Sequence, residues 1–356
     1  MLIIDAHLDL AWNALQWNRN LQQSVYTIRT QESHLSGAGR GQGTVALPEM
    51  RKGCIALCFA TLLARSTGRM IQNLDYSSPS QAYAIAQGQL AYYHALDESR
   101  ELRLITTAAE LEDHFAAWQG WERDTRLAQP PLGLVISMES ADPILAPEQL
   151  SAWKEAGVRM IGPAHYGPGR YAGGTSTEFG LTPDGIHLLR EMERLGIILD
   201  LTHLSDQAFW EALDRFNGVV LASHNNSRTL APHQRQYDDR QIRTIIEREG
   251  VIGVAFDNWM IRPGWVHGAK ENERVTLAHV ANHIDHISQL AGNSQHAAIG
   301  SDLDGGFGRE QSPSDLDTIA DLQHIAEILS QRGYRDADIT AIMHGNWLNL
   351  LRRAWR

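Results

Sequence analysis

The chain has 356 residues and a mass of 39.7 kDa, with 31 Lys+Arg against 42 Asp+Glu and a formal charge of −11. That balance excludes the clustered basic surface that nucleic acid or an anionic membrane requires, and 2 cysteines exclude a disulfide framework. No uncharged apolar run reaches the ~18 residues of a membrane span and no leader pattern opens the chain, so the reading is a cytoplasmic protein with a sizeable core.

In chain order, short apolar runs alternate with amphipathic stretches. The strand candidates are Leu2–Asp5, Ile55–Ala60, Gly133–Met138, Arg159–Gly162, Ile197–Leu201, Val219–Ala222, Val251–Phe256 and Ala297–Ser301. They are nearly continuous in apolar residues, as strands covered on both faces are. Cys54 and Cys58 lie in the second run and read as thiols acting as small hydrophobes. The spacing predicts helices over 80–97, 184–195, 206–216, 238–249, 275–291, 314–332 and 336–353, with Pro183 at a helix start and Ser205 as a cap. Eight βα alternations in one chain without a linker predict a single (β/α)₈ barrel domain over 1–356, with a doubly wound sheet as the alternative. Residues 13–50 read as an irregular insertion. Its Gly37-Ala-Gly-Arg-Gly-Gln-Gly43 has no strand before it and reads as a flexible loop, not a phosphate cradle.

Catalytic groups of such barrels sit at the C-terminal ends of the strands. Those positions read Asp5-Ala-His7-Leu-Asp9, Ser137-Met-Glu139, Gly162-Pro-Ala-His165, Asp200-Leu-Thr-His203, Ala222-Ser-His224 and Gly300-Ser-Asp302-Leu-Asp304. His7 and Asp9 are two apart, so both leave one face of an extended segment. Each motif alone is ordinary. Together they place a metal-competent or proton-transferring residue at most strand ends. Three histidines and two carboxylates suit Zn²⁺ or a similar ion. Two cations a few Å apart can hold a hydroxide at neutral pH and polarise a carbonyl, and a further carboxylate can carry the proton to the leaving group.

These motifs resemble the membrane (renal) dipeptidase family of the amidohydrolase superfamily nearly end to end. The likeness runs through Asp5–Trp12, Ser137–Glu139, Gly157–His165, Gly180–Pro183, Leu195–Asp206, Ser223-His224, Gly250–Gly253, Gly300–Gly305 and Gly345-Asn346. The resemblance implies a distorted (β/α)₈ TIM barrel with two Zn²⁺ per chain, another divalent transition metal being the alternative. His7 and Asp9 would hold one ion, His203 and His224 the other, and Glu139 would bridge them. His165 would steady the carbonyl oxygen, and Asp302 would shuttle the proton, preferred over Asp304 because it lies closer to the strand end. Arg235 would bind the substrate carboxylate, and Trp12 would wall the pocket. Where some relatives carry a tyrosine after strand seven, this chain reads Phe256-Asp257-Asn258-Trp259. Asp257 is therefore a candidate substrate contact favouring basic or polar residues, with a surface acid as the plainer reading.

The expectation is a binuclear metallo-dipeptidase that hydrolyses dipeptides, with L-Xaa-D-Xaa included, through a hydroxide bridging two zinc ions. The alternatives are an N-acyl-amino-acid deacylase or other amide hydrolase of the superfamily, and, in a different class, a ligand-binding barrel without catalysis. The partner is a small dipeptide, with no nucleic acid or membrane and a homodimer left open. His279, His283 and His286 share one helix and read as a solvated face flanking its apolar stripe. They receive no role, nor do His94, His114, His187, His324 and His344.

Overall fold

A computed structural model describes residues 1–356. Nine strands run in chain order: β1 (Ile3–Leu8), β2 (Ile55–Leu63), β3 (Leu102–Leu104), β4 (Leu132–Glu139), β5 (Val158–Gly162), β6 (Ile198–Asp200), β7 (Val220–Leu221), β8 (Ile252–Val254) and β9 (Ala297–Ile299). All pairings between them are parallel. One sheet takes the order β1-β2-β4-β5-β6-β7, with β3 added to β4 below β5, and β8-β9 form a separate pair. The fold is the distorted (β/α)₈ barrel expected.

The distortion has a local cause. β7 and β8 meet through a short bridge, in which Ala222 N donates to Val251 O (3.0 Å) and Gly253 N to Ala222 O (2.8 Å). At the seam between β9 and β1 a side chain takes over: Asp5 in β1 accepts from Ser301 N (2.8 Å) and Ser301 Oγ. Burial raises the Asp5 pKa and these hydrogen bonds oppose that rise. The carboxylate thus closes the barrel where the backbone does not.

Two glycines let these strands converge. A Cβ on Gly253 would lie 2.0 Å from Ser223 O and one on Gly300 1.8 Å from the same oxygen. Gly300→Ala must push back the Ser223-His224 segment, and overpacking of this kind costs typically about 1–3 kcal/mol. The expected result is a loss of at least about 2 kcal/mol in urea denaturation, and an unchanged midpoint would contradict the close approach.

Helices cover the outside, at Pro79–Glu98, Ala108–Arg123, Pro183–Leu195, Asp206–Arg215, Asp239–Glu247 and Leu277–Ala291, with Gln323–Gln331 and Asn346–Ala354 near the end. One cluster of 90 buried apolar residues runs from Leu2 to Leu351. No helix is long and apolar enough to cross a membrane.

Several expectations need correcting. The insertion is irregular at 17–24 and 32–46 but not throughout. It carries helices Leu10–Gln16, Val25–Gln31 and Leu47–Lys52. These are pinned by Arg19, which is 3% exposed and donates to Glu32 Oε1 and Oε2, Asn13 Oδ1, Asp304 Oδ2 and Gly39 O. The glycine-rich stretch is tied down by that last bond and by Glu310, which accepts from Gly39 N at 2.6 Å. The helix expected over 314–332 begins only with a 3₁₀ turn at Ile319, and the one over 336–353 is interrupted by a π turn at Ala341–Gly345. β3 was not anticipated, and of the helix Ala108–Arg123 only the helical setting of His114 was, without its bounds. His283 does not belong to a solvated face: it is 1% exposed, accepts from Ser227 N at 3.1 Å and contacts Ile261 O at 3.1 Å. Burial pushes it down to about 4, so it stays neutral and structural. Cys58 is buried, Cys54 is half-buried, and both are free.

Candidate active site

The strand ends deliver their polar residues to one point. His7 lies in β1 and Asp9 just after it. Glu139 closes β4, His165 follows β5, His203 follows β6, His224 follows β7 and Asp302 follows β9. The Glu139 carboxylate is the hub. Its Oε1 lies 3.1 Å from His203 Nε2, 3.4 Å from His224 Nε2 and 3.6 Å from His165 Nε2, while its Oε2 is 3.5 Å from His7 Nε2. His7 Nε2 is also 3.9 Å from Asp9 and 3.8 Å from Asp302. Three overlapping triads, His7–Asp9–Glu139, Glu139–His203–His224 and His7–His224–Asp302, keep their ligand atoms within 4.8 Å.

Local backbone sets these directions. His203 and Asp302 adopt φ of 69° and 58°, a left-handed conformation uncommon outside glycine. It turns each side chain off the strand's alternation and into the barrel mouth. A Cβ on Gly305 would lie 2.0 Å from Asp302 Oδ1, so that glycine leaves room for the carboxylate. Asp200 Oδ1 accepts from Thr202 N (3.0 Å) and Ser223 N (3.1 Å), which locks the two histidine-bearing ends together.

The donor set fits divalent metal. Thr175 Oγ1 donates to His203 O (3.2 Å) and lies 3.1 Å from His203 Nδ1, while Ser223 Oγ sits 2.9 Å from His224 Nδ1. Outer partners on Nδ1 leave Nε2 free to ligate. The two Nε2 atoms face each other at 3.2 Å, and His7 Nε2 is buried without a partner. Thr61 Oγ1 donates to Asp9 Oδ1 and orients that carboxylate.

Electrostatics agree. Burial, reinforced by Arg235, pushes His203 down to about 3, and burial with His7 and Arg235 also depresses His224, so both imidazoles are unprotonated. Burial opposes the charge of Glu139, yet the imidazoles of His165, His7 and His203 hold it well below the usual carboxylate range. Burial alone would lower His7. The negative charge of Glu139, Asp9 and Asp302 outweighs it and lifts His7 to about 10. Burial and Glu139 push Asp9 up to about 6. Carboxylate charge contributes to the rises at His7, Asp9 and Asp302 alike, a setting that a bound cation would relieve.

A cavity of about 500 Å³ opens over this centre, lined in part by Trp12, Trp17, Arg65, Tyr166, Arg235 and Asp257. Trp12 is held by its Nε1, which donates to Asn73 O (2.8 Å). Arg235 is 3% exposed. Its Nη2 donates to His224 O (2.9 Å), while Nε and Nη1 have no partner. Asp257 is no surface acid: it is 5% exposed, caps the turn Asn258–Ile261, and accepts from Gln311 Nε2 at 2.8 Å. Burial pushes it up to about 7. Asp302 stands in the mouth with 16% of its side chain exposed. Its carboxyl is pushed well above the usual range by burial and by the charges of Glu139 and Asp9. Asp304 instead points away and anchors the insertion, accepting from Thr44 N and Oγ1 (both 2.7 Å) and Val45 N (3.1 Å).

The structure therefore gathers His7, Asp9, Glu139, His165, His203, His224, Arg235, Trp12, Asp257 and Asp302 at one mouth. Sequence reasoning missed Arg65, Thr61, Tyr166, Thr175 and Ser223. Ser223 alone carried a signal, a hydroxyl beside the strand-end His224.

A family model described as membrane dipeptidase, peptidase family M19, matches residues 1–355. Among curated proteins, an uncharacterised dipeptidase of Schizosaccharomyces pombe is 32% identical over 320 residues, covering 87% of this chain and 71% of its own. Among solved structures, the dipeptidase AC, a metallopeptidase, superposes with a TM-score of 0.81 at 23% identity, covering 100% of this chain and 99% of its own. A metallopeptidase of Rhodobacter sphaeroides, bound to a phosphinate mimic of the dipeptide L-Ala-D-Ala, superposes with a TM-score of 0.78 at 23% identity, with coverage of 100% and 99%.

Proposed function

The chain belongs to the membrane dipeptidase family, peptidase family M19, and from that premise we propose a binuclear zinc dipeptidase whose chemistry is run by the strand-end residues described above. One observation carries the reading: four imidazole Nε2 atoms lie within 3.6 Å of the two oxygens of one buried carboxylate, Glu139. His7 and Asp9 would hold one Zn²⁺, His203 and His224 the other, and Glu139 both. When bound, the pair supplies a nucleophile at neutral pH and polarises the scissile carbonyl.

The chain's own residues do the rest. Arg235 offers unpaired Nε–H and Nη1–H groups, which suit the C-terminal carboxylate of a dipeptide. His165 Nε2–H donates to the carbonyl oxygen as negative charge develops there. Asp302 takes a proton from the attacking water and hands it to the departing amine nitrogen. Trp12 forms one wall of the pocket and shields the site from water. Asp257, buried and facing the cavity, selects a basic or polar side chain. The 90-residue apolar cluster supports treating 1–356 as one catalytic domain. The free thiols of Cys54 and Cys58 suit a reducing compartment, and we place the enzyme in the cytoplasm.

A panel of L-Xaa-L-Xaa and L-Xaa-D-Xaa dipeptides, set against N-acetyl amino acids, tests this reading. Dipeptides should be turned over at least about tenfold better in kcat/KM, a difference of about 1.4 kcal/mol. Preference for the N-acetyl compounds would replace it with a deacylase. On the same panel, Asp257→Asn should erode the preference for basic or polar residues, and an unchanged ranking would remove Asp257 from the pocket's selectivity.

A further inference from the structure

Arg65 is a buried cation with no part in the mechanism above. It follows β2, is 1% exposed, and lines the cavity. Its backbone is fixed on both sides, since Arg65 N donates to Leu74 O (2.9 Å) and its carbonyl accepts from Tyr76 N (2.7 Å). Its Nη2 lies 3.7 Å from Asp75 Oδ2, and Asp75 is itself held by Thr67 N (2.9 Å) and Thr67 Oγ1. Its Nη1 lies 3.0 Å from His165 Nδ1 and 3.3 Å from Tyr166 O.

A guanidinium has donors and no acceptor. The 3.0 Å contact is therefore a hydrogen bond only if His165 Nδ1 carries a lone pair. A neutral imidazole then bears its single proton on Nε2, the nitrogen that faces Glu139 at 3.6 Å. Were Nδ1 protonated, two N–H groups would confront each other at 3.0 Å, with the Arg65 side chain buried and its backbone held by the bridges to Leu74 and Tyr76.

We propose that Arg65 is a positioning residue that fixes the Nε2–H tautomer of His165, so that His165 presents a permanent donor to the substrate carbonyl. Asp75 completes the line as a countercharge 3.7 Å from Arg65 Nη2. This rests on the dipeptidase reading for its catalytic meaning, but not for the tautomer itself. It assigns His165 one duty: with Nε2 protonated and Nδ1 engaged, it has no lone pair in the pocket and cannot act as the general base, which leaves proton transfer to Asp302.

The test combines nitrogen NMR and kinetics on the zinc-loaded enzyme. With ¹⁵N-labelled histidine, His165 should show an unprotonated Nδ1 and a protonated Nε2. A protonated Nδ1 in the unaltered protein overturns the proposal, whatever the enzyme turns out to hydrolyse. Arg65→Met should lower kcat by about 10²-fold, the scale of losing one oxyanion donor, with KM within about threefold and metal content unchanged. Arg65→Lys, which keeps a donor-only cation, should recover part of that loss. If Arg65→Met kept kcat within about threefold of the parent, Arg65 would be only a structural ion, and if it failed to fold, the nitrogen shifts of the parent would still decide.

Discussion

Glu139→Gln is expected to lower dipeptide turnover by roughly 10⁴-fold, a barrier increase of about 5.4 kcal/mol, and to lower metal content with it. The cause is the hub geometry. Both Glu139 oxygens are engaged, Oε1 toward His165, His203 and His224 and Oε2 toward His7. An amide keeps one acceptor and puts an –NH₂, which has no lone pair to offer a cation, where the second oxygen stood. It also deletes the charge that balances two cations. Steady-state kinetics with elemental analysis of the same preparation reads both effects. Turnover within about tenfold of the parent, with metal retained, would mean that Glu139 bridges nothing.

Asp302→Asn should separate chemistry from binding. Its carboxylate stands at the open side of the cluster, in the cavity, in a left-handed turn that Gly305 makes roomy. General acid–base catalysis contributes about 10²–10⁴-fold, so kcat should fall by that range while metal content and KM hold. The geometry also offers a competing role, because Asp302 forms a triad with His7 and His224. Loss of one metal in Asp302→Asn would make it a ligand and move the shuttle elsewhere.

Much of this was legible in the chain, for reasons that differ by element. The apolar runs of β1, β2, β4 and β9 stood out because strands buried on both faces lack polar interruptions. β3 has three residues, too few to leave a pattern. The helix Ala108–Arg123 did carry a signal. Thr107 and Glu110 form a capping box, and Leu111, His114, Phe115 and Trp118 recur at helical spacing.

At the site, strand-end position was the strongest guide, because the barrel aims those ends at one mouth. The choice between Asp302 and Asp304 could not come from alternation, which puts both on one face. The positive φ of both residues breaks that rule, and sends one carboxylate to the site and the other to Thr44 and Arg19. Arg65, Thr61 and Thr175 were illegible for a different reason. They reach the site from neighbouring strands and loops, and only the folded chain brings Arg65 to His165 or Thr175 to His203. His283 misled because its helix position suggested solvent, whereas Ser227 and Ile261 pack over it.

Glu139 and its flanking residues are proposed to assemble a two-metal centre. Elemental analysis of protein purified without chelator, titrated with Zn²⁺ while dipeptide turnover is followed, tests it most directly. A two-metal centre gives activity that rises to a plateau at about two metals per chain and vanishes on chelation. A plateau at one metal per chain, or full turnover after exhaustive chelation, would contradict it.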